Sequence, residues 1–376
     1  MNMNYDVVVV GGGVMGLATT YALLKRGVER VLVLERYEPG HDRAASTDNT
    51  KAIRYEYGES ETYSRMVGRS IQLWRELEAA VGADLYVNCG VICWGRGETS
   101  HAWQSFQTVS RLGIPIREVS PQELCRLYPQ LSPADMRYAT VNSEGGFLRA
   151  SSCVAAFASE VRRLAGEIRS HARVVNVEPS DGRIDVRLED GETIVASRVI
   201  LTVGPWAANL LPQLGVSAPL TAHKQQLVYI EGLPSDFLPD RFPVFLNLDH
   251  EFYGFPLDSA GLLKASIHFP GPIVDPDVPM HPDDAFVEHI MSLLRTYIPG
   301  AALGRVSLSR TCMYAMTPDE NFILDYFPGY SNVVIAAGFS GHGFKFAPLI
   351  GEMLASLTLR EEPEFSLAPF ALAARH

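Results

Sequence analysis

The stretch Met3-Asn-Tyr-Asp-Val-Val-Val-Val-Gly11-Gly-Gly13-Val-Met-Gly16-Leu-Ala18 decides the fold, together with Val31-Leu-Val-Leu-Glu35-Arg36 that follows it. An apolar run of strand length ends in glycines, a helical stretch follows, and a second apolar run ends in an acid. Gly11, Gly13 and Gly16 satisfy G-x-G-x-x-G. Gly11 permits a tight turn, Gly13 lets backbone approach a pyrophosphate, and Gly16 lets helix and strand pack closely. The helix opening at Val14 and Met15 offers N–H donors and partial positive charge to phosphates. Glu35 can accept hydrogen bonds from a ribose diol. An acid there favours an unphosphorylated ribose, as in NAD or FAD, and the motif does not choose between them.

Composition narrows the partners. The 376 residues are 47% apolar and 20% charged, with a net charge of −11 and no basic block. Nucleic acid and anionic membrane are therefore not expected partners. No apolar run is long enough to span a bilayer. No signal peptide is expected at the N-terminus, and the final Ala-Ala-Arg-His is no peroxisomal address. Cys89, Cys93, Cys125, Cys153 and Cys312 are scattered and odd in number, so neither a disulfide framework nor a metal site is expected. A reducing cytoplasm fits this usage.

Strands are expected at 5–10 and 30–35 around a helix at 14–26, then a loop over 36–50. A helix is expected to start near Asp48 or Asn49, which would place Lys51 and Arg54 on one helical face. Residues 60–82 carry Met66, Leu73, Trp74 and Leu77 at helical spacing. Short strands and prolines follow to 146, and a helix covers 152–165. Strands are expected at 173–178, 183–188 and 193–201, with an Asp-Gly turn at 181–182. The last runs into Thr202-Val-Gly204-Pro-Trp206. Residues 218–310 are strand-like and rich in Pro, Phe and Tyr, a second layer. The nucleotide domain is thus interrupted: 1–85, 147–217 and 308–376 on one side, 86–146 and 218–307 forming a substrate domain on the other.

Val333–Ala337 followed by Gly338-Phe-Ser-Gly341-His-Gly343-Phe-Lys345 repeats the strand, glycine turn and helix of the N-terminus. Two anion-ready helix starts suit a long ligand such as FAD, with its pyrophosphate and its flavin N1–C2=O edge.

The strings Arg310-Thr-Cys312-Met-Tyr-Ala-Met-Thr-Pro-Asp-Glu-Asn-Phe-Ile-Leu-Asp325 and Asn332-Val-Val-Ile-Ala-Ala-Gly338-Phe-Ser-Gly-His342-Gly-Phe-Lys345 closely resemble the monomeric sarcosine oxidase family. N-methyltryptophan, pipecolate and fructosyl amino acid oxidases are its relatives. The match spans the chain, including Thr202–Trp206 and Tyr253-Gly-Phe-Pro256. The resemblance implies an α/β fold: a Rossmann-like FAD-binding domain joined to a mainly antiparallel β-sheet substrate domain. It implies a monomeric enzyme that oxidises an amino acid carrying a secondary amine. Hydride passes to flavin N5, the imine hydrolyses, and O₂ becomes hydrogen peroxide.

Residue by residue, the resemblance assigns Cys312 to a thioether with the flavin 8-methyl carbon. A thiolate is needed for that bond, and the guanidinium of Arg310 would favour one; without the family, Cys312 reads as a small buried hydrophobe. It assigns Arg36, Ser46, Thr50, Val174, Gly204, Trp206, Met313, Gly338, Gly341, His342, Gly343 and Phe344 to the cofactor's surroundings. Arg54 and Lys345 match the carboxylate clamp, a planar fork plus a point charge, and Lys345 also touches cofactor. Lys264 matches the lysine over the flavin that helps O₂ accept its first electron. A fixed cation stabilises superoxide as it forms. His268 matches a histidine near the substrate, and on strand spacing it shares a side with Lys264. Tyr253 matches an aromatic wall, or is a core tyrosine.

Two departures stand out. Lys51 replaces the arginine of sarcosine oxidases and is similar to the lysine of fructosyl amino acid oxidases, whereas His268 follows the sarcosine pattern. Ser46-Thr47 replaces a double histidine. Narrow sarcosine specificity is therefore not expected. A fructosyl or other bulky N-alkyl amino acid oxidase is the alternative, and a flavin dehydrogenase with a non-oxygen acceptor is another. An NAD-dependent dehydrogenase would leave Cys312 and the terminal glycine turn unexplained.

Overall fold

The computed structural model describes residues 5–97, 99–180, 182–247 and 249–372. The first sheet has Tyr5–Val10 at its centre, paired in parallel with Val31–Leu34 on one side and Thr193–Leu201 on the other. Val7 to Val9 are fully buried because both faces of the strand are covered, one by helices and the other by strand residues between 177 and 196 and the short helix Ala207–Gln213, so the run shows no alternation. Thr193–Leu201 forks. Its first half pairs antiparallel with Arg183–Leu188, and Val199–Leu201 pair in parallel with Tyr330–Ala337. The sheet therefore joins residues from the start, middle and end of the chain. The two helices that follow glycine turns, Val14–Lys25 and Ala347–Leu359, pack against each other. A Cβ on Gly351 would lie 2.7 Å from the Ala18 backbone, so the absent side chain permits the close crossing.

The second sheet also has eight strands, in the order Arg305–Met316, Thr221–Glu231, Leu263–Ile267, Phe252–Gly254, Val244–Asn247, Val91–Gly95, Tyr138–Asn142 and Ile116–Val119. All its pairs are antiparallel except Val244–Asn247 with Val91–Gly95. The expected α/β class, with a mainly antiparallel second layer, is the architecture observed. The expected division point at 308 falls inside the strand Arg305–Met316, which lies wholly in this second sheet. A third sheet links the layers: Thr50–Ile53, Gly146–Arg149 and Tyr86–Val87.

The amphipathic helix at 60–82 is present as Glu61–Val81. Ser60 accepts from the Tyr63 N–H at one end, and Gly82 at φ +65° closes the other. The helix expected from Asp48 or Asn49 is absent. Thr50–Ile53 is a strand held by Gly146–Arg149, so pairing with a distant segment overrides the local capping signal. Lys51 and Arg54 are therefore not neighbours on a helical face. The Asp-Gly turn at 181–182 and the C-terminal Ala-Ala-Arg-His fall partly or wholly outside the described residues. No described helix is long and apolar enough to cross a membrane.

Candidate active site

Two adjoining cavities lie where the sheets meet. The larger, about 250 Å³, opens over the first glycine turn. Gly11 sits at φ +106°, and a Cβ there would lie 2.4 Å from the Thr202 carbonyl oxygen. A Cβ on Gly16 would lie 1.9 Å from the Gly11 oxygen. These two glycines are required by backbone contact. Gly13 differs: its nearest atom would be Ser46 Oγ at 3.6 Å, so it leaves room for a ligand. The helix beginning at Val14 has no side-chain cap and no acid in its first turn, which leaves its N–H donors for an anion. Glu35 is buried, and its carboxylate accepts from the Gly12 N–H at 2.7 Å and the Tyr37 N–H at 2.8 Å. That fixes an acid at the end of the second strand.

Val14, Met15, Arg36, Ser46, Val174, Gly204, Trp206, Met313, Gly341, Gly343 and Phe344 also line this cavity. Gly16, Thr50 and Gly338 do not. Gly16 and Gly338 shape the two turns from behind, and Thr50 lends its carbonyl to Lys264. The donors, the open strip at Gly13 and a lining that runs from the first glycine turn to the second fit a dinucleotide.

The smaller cavity, about 70 Å³, is lined by Asp48, Lys51, Arg54, Tyr253, Lys264, His268, Cys312, His342 and Lys345, among others. It shares Lys51, Tyr314, Gly341 and Phe344 with the first. Every residue expected to do chemistry is therefore brought to one place, although five separate segments supply them. Gly341, at φ +75°, lets the glycine turn lie against the Tyr314 ring, where a Cβ would come within 2.3 Å.

Arg54 and Lys345 form a cationic corner. The Arg54 guanidinium lies 4.7 Å over the Tyr57 ring, and its buried Nη1 has no hydrogen-bond partner. Lys345 is buried in a 3₁₀ turn, Phe344–Phe346, that precedes the helix; it was expected at the helix start itself. Its Nζ donates to Tyr57 Oη at 2.9 Å and to the His342 carbonyl at 2.8 Å. Burial, then the charges of Arg54 and Lys51, push Lys345 well below the usual lysine range. An anion between the two cations would reverse that push.

Lys264 extends from Leu263–Ile267, and His268 follows that strand into the same cavity. Lys264 Nζ donates to Asp48 Oδ2 at 2.8 Å and to the Thr50 carbonyl, and lies 4.1 Å over the Phe255 ring. Burial lowers it to about 8, against the pull of Asp48. Burial, with Arg54 and Lys345 adding to it, lowers His268 to about 3, so this histidine is neutral at neutral pH. Tyr253 and His268 are in edge contact at 6.5 Å.

Cys312 is buried and lines the smaller cavity alone. Burial raises the thiol. Arg310 does pull Cys312 towards the thiolate, as expected, but less than Lys51 and Lys264 do and not enough to offset burial.

Sequence reasoning passed over Asp48, Tyr57 and Tyr229. Asp48 was visible only as a candidate helix cap. Tyr57 carries both cations of the corner, and Tyr229 donates to Asp48 Oδ1. Neither has a local signal, since each gains its role through a partner far along the chain.

Comparison with known proteins agrees with this geometry. The model of the family "FAD dependent oxidoreductase" matches residues 6–357. The chain is 31% identical to the monomeric sarcosine oxidase of Bacillus sp. (strain B-0618), covering 99% of this chain and 96% of that protein. It is 32% identical to the peroxisomal sarcosine oxidase of Homo sapiens, covering 98% and 96%. The crystal structure of glycine oxidase from Geobacillus kaustophilus has the same fold, with a TM-score of 0.86 at 22% identity over 99% of both chains. With a family match over nearly its whole length, on a cavity built for a dinucleotide, the chain belongs to the FAD dependent oxidoreductase family.

Proposed function

We propose that this protein is an oxidase of an amino acid bearing a secondary amine: N-methyl, N-alkyl or cyclic. The amine and O₂ become an imine and hydrogen peroxide, and water then hydrolyses the imine. One observation carries the reading. Arg54 and Lys345 meet over Tyr57 beside the dinucleotide cavity, with a buried guanidinium N–H unspent. A carboxylate is the ligand that such a corner takes. Bound FAD supplies the two-electron acceptor for the amine and the donor to O₂.

This chain's residues do the rest. Arg54 and Lys345 grip the substrate carboxylate and so orient the neighbouring C–H. His268, neutral, accepts or donates a hydrogen bond at the amine without adding charge. Tyr253 and Tyr314 wall the cavity against water. Lys264 offers a fixed positive charge where O₂ is reduced. Gly11, Gly13, Val14 and Met15 would receive the pyrophosphate and Glu35 a ribose, with Cys312 forming a covalent link from the smaller cavity's side. The domain division at 85, 146 and 217, a monomeric state and a cytoplasmic location belong to the same reading.

Lys51 favours a second reading, a fructosyl or other bulky N-alkyl amino acid, because it places a compact cation, smaller than an arginine, between the two cavities. A peroxide-coupled screen of sarcosine, N-methyl amino acids, proline, pipecolate and fructosyl-glycine tests both. Peroxide from the first four supports the leading reading, and from fructosyl-glycine alone the second. No peroxide from any, with an artificial dye reduced anaerobically, would mean a dehydrogenase. Acid-denatured protein is expected to stay yellow after washing and Cys312→Ala protein to lose its colour; a mutant that keeps it would refute the tether.

A further inference from the structure

We propose that Asp48 is a positioning residue for Lys264: its buried carboxylate fixes the lysine's place beside the cofactor cavity and holds it in the cationic form. The inference rests on the role given above to Lys264. The geometry is that of a built site. Tyr229 and Lys264 are direct cross-strand partners of Thr221–Glu231 and Leu263–Ile267, and both reach the same carboxylate. Tyr229 Oη and the Asn49 N–H, the latter at 2.8 Å, donate to Oδ1. Lys264 at 2.8 Å and Lys51 at 3.3 Å meet Oδ2. The Asp48 carbonyl is pinned in turn by Ser151, whose Oγ donates at 2.9 Å. A carboxylate held by three hydrogen-bond donors and a further ion pair, from three segments, does not drift, and it is 1% exposed.

The charge balance gives this position its meaning. The smaller cavity is lined by four basic side chains, Lys51, Arg54, Lys264 and Lys345, and by one carboxylate, Asp48. A buried ammonium without a counter-ion sheds its proton. The groups facing Asp48 are Lys51 beside it, Tyr229 and Lys264 on their strands, Cys312 and Tyr314 on Arg305–Met316, and Tyr253. Burial works against the charge on Asp48, but Lys264 and then Lys51 keep it ionised, well below the usual carboxylate range. Tyr229 is raised by burial and by Asp48, so it stays a neutral donor. For Lys264, burial and the like charge of Lys51 both favour loss of the proton, and Asp48, ahead of Cys312, opposes them. Lys264 spends two of its three N–H donors on Asp48 and Thr50, which leaves one for the cavity it lines.

The test compares holoenzyme with Asp48→Asn, Asp48→Glu, Lys264→Met and the double variant Asp48→Asn/Lys264→Met. Stopped-flow reoxidation by O₂ is followed from pH 6 to 10. In parallel, ¹³Cε-lysine NMR follows the Lys264 resonance, identified by its loss in Lys264→Met. In the unaltered protein, reoxidation is expected to fall as Lys264 titrates near 8. In Asp48→Asn both midpoints move to lower pH. Reoxidation at pH 7.5 becomes slower by roughly tenfold or more and recovers on acidification, a pattern that simple loosening of structure does not give. Asp48→Glu restores much of the profile. Should Asp48→Asn misfold because it strands a buried ammonium, the double variant removes both charges and is expected to fold and reoxidise like Lys264→Met. An unshifted Lys264 resonance in Asp48→Asn overturns the proposal while the role of Lys264 stands. So does a double variant that is slower than Lys264→Met. Unchanged reoxidation in Lys264→Met removes that role and the proposal with it.

Discussion

In the larger cavity the cations already have partners: Arg36 and Arg173 both reach Asp277, whose carboxylate also accepts from Trp206 Nε1 at 2.7 Å. In the smaller cavity Arg54 and Lys345 pair with no carboxylate among the described residues, and only Lys51 and Lys264 share one. The first site recognises shape and backbone donors and is electrically settled before anything binds. The second holds positive charge in reserve, at a cost to its own protonation, and is completed by an anion that arrives with the substrate.

The largest effect is expected from filling the glycine cradle. Gly16→Val places carbon against the Gly11 oxygen at a distance no packing tolerates, in a buried helix that cannot move off the sheet. The loss should meet or exceed the ~1–3 kcal/mol of ordinary overpacking, and flavin absorbance per mole of purified protein should fall to background. Normal flavin content would mean that the turn tolerates a side chain and that the cradle is not set by backbone contact. Arg54→Met should act on the other cavity alone. Flavin content and melting temperature stay near those of the unaltered protein, while kcat/KM for the amino acid falls by roughly 10²–10³, as expected when a charge-assisted fork to a carboxylate is removed. The matching amine without its carboxylate should lose far less. Equal losses for both substrates would separate Arg54 from carboxylate binding.

The same contrast explains what the sequence disclosed. The glycine-turn end of the larger cavity is legible because its parts are consecutive: a strand, three glycines, a helix and an acid lie within residues 5–35, and each has a local physical reason, whereas Val174, Trp206 and Met313 in the same cavity do not. The second glycine turn, at 338–343, was legible for that reason too. The smaller cavity has no such text. Arg54, Tyr253, Lys264, His268, Cys312 and Lys345 could be named only through likeness to a family, because sheet pairing and not spacing brings them together. Where local reasoning was pressed further it failed. Asp48 in Ser46-Thr-Asp-Asn49 has the chemistry of a helix cap, yet the carboxylate turns inward to Lys264 and Tyr229 while Thr50–Ile53 joins a sheet. The preference of a buried lysine for a counter-ion outweighed a cap worth about 1 kcal/mol.

The smallest effect separates the two cavities by acid. Burial depresses His268 to about 3 and His101 to about 4, and His342 is lowered as well. All three belong to the smaller cavity or its margin. In the larger cavity, burial lowers His41, but Glu35, whose carboxylate lies 3.6 Å away, pulls against it. A histidine that stays neutral when folded takes up a proton on unfolding once the pH drops below about 6.5. Each such group therefore contributes stability that is complete above that value and is lost as pH falls towards its folded value. The slope is at most about 1.4 kcal/mol per pH unit for each histidine. Asp48 adds nothing in this range, because its own loss begins only below the ordinary carboxylate value. Urea unfolding at pH 7, 6 and 5 should show stability falling faster at each step, and His101→Gln should flatten the decline relative to the unaltered protein. His41→Gln should flatten it less, since Glu35 already opposes the burial that lowers His41. If His41→Gln flattened it more, the acid-sensitive element would lie beside the dinucleotide cradle, and the division into a settled and an unsettled cavity would be the wrong way round.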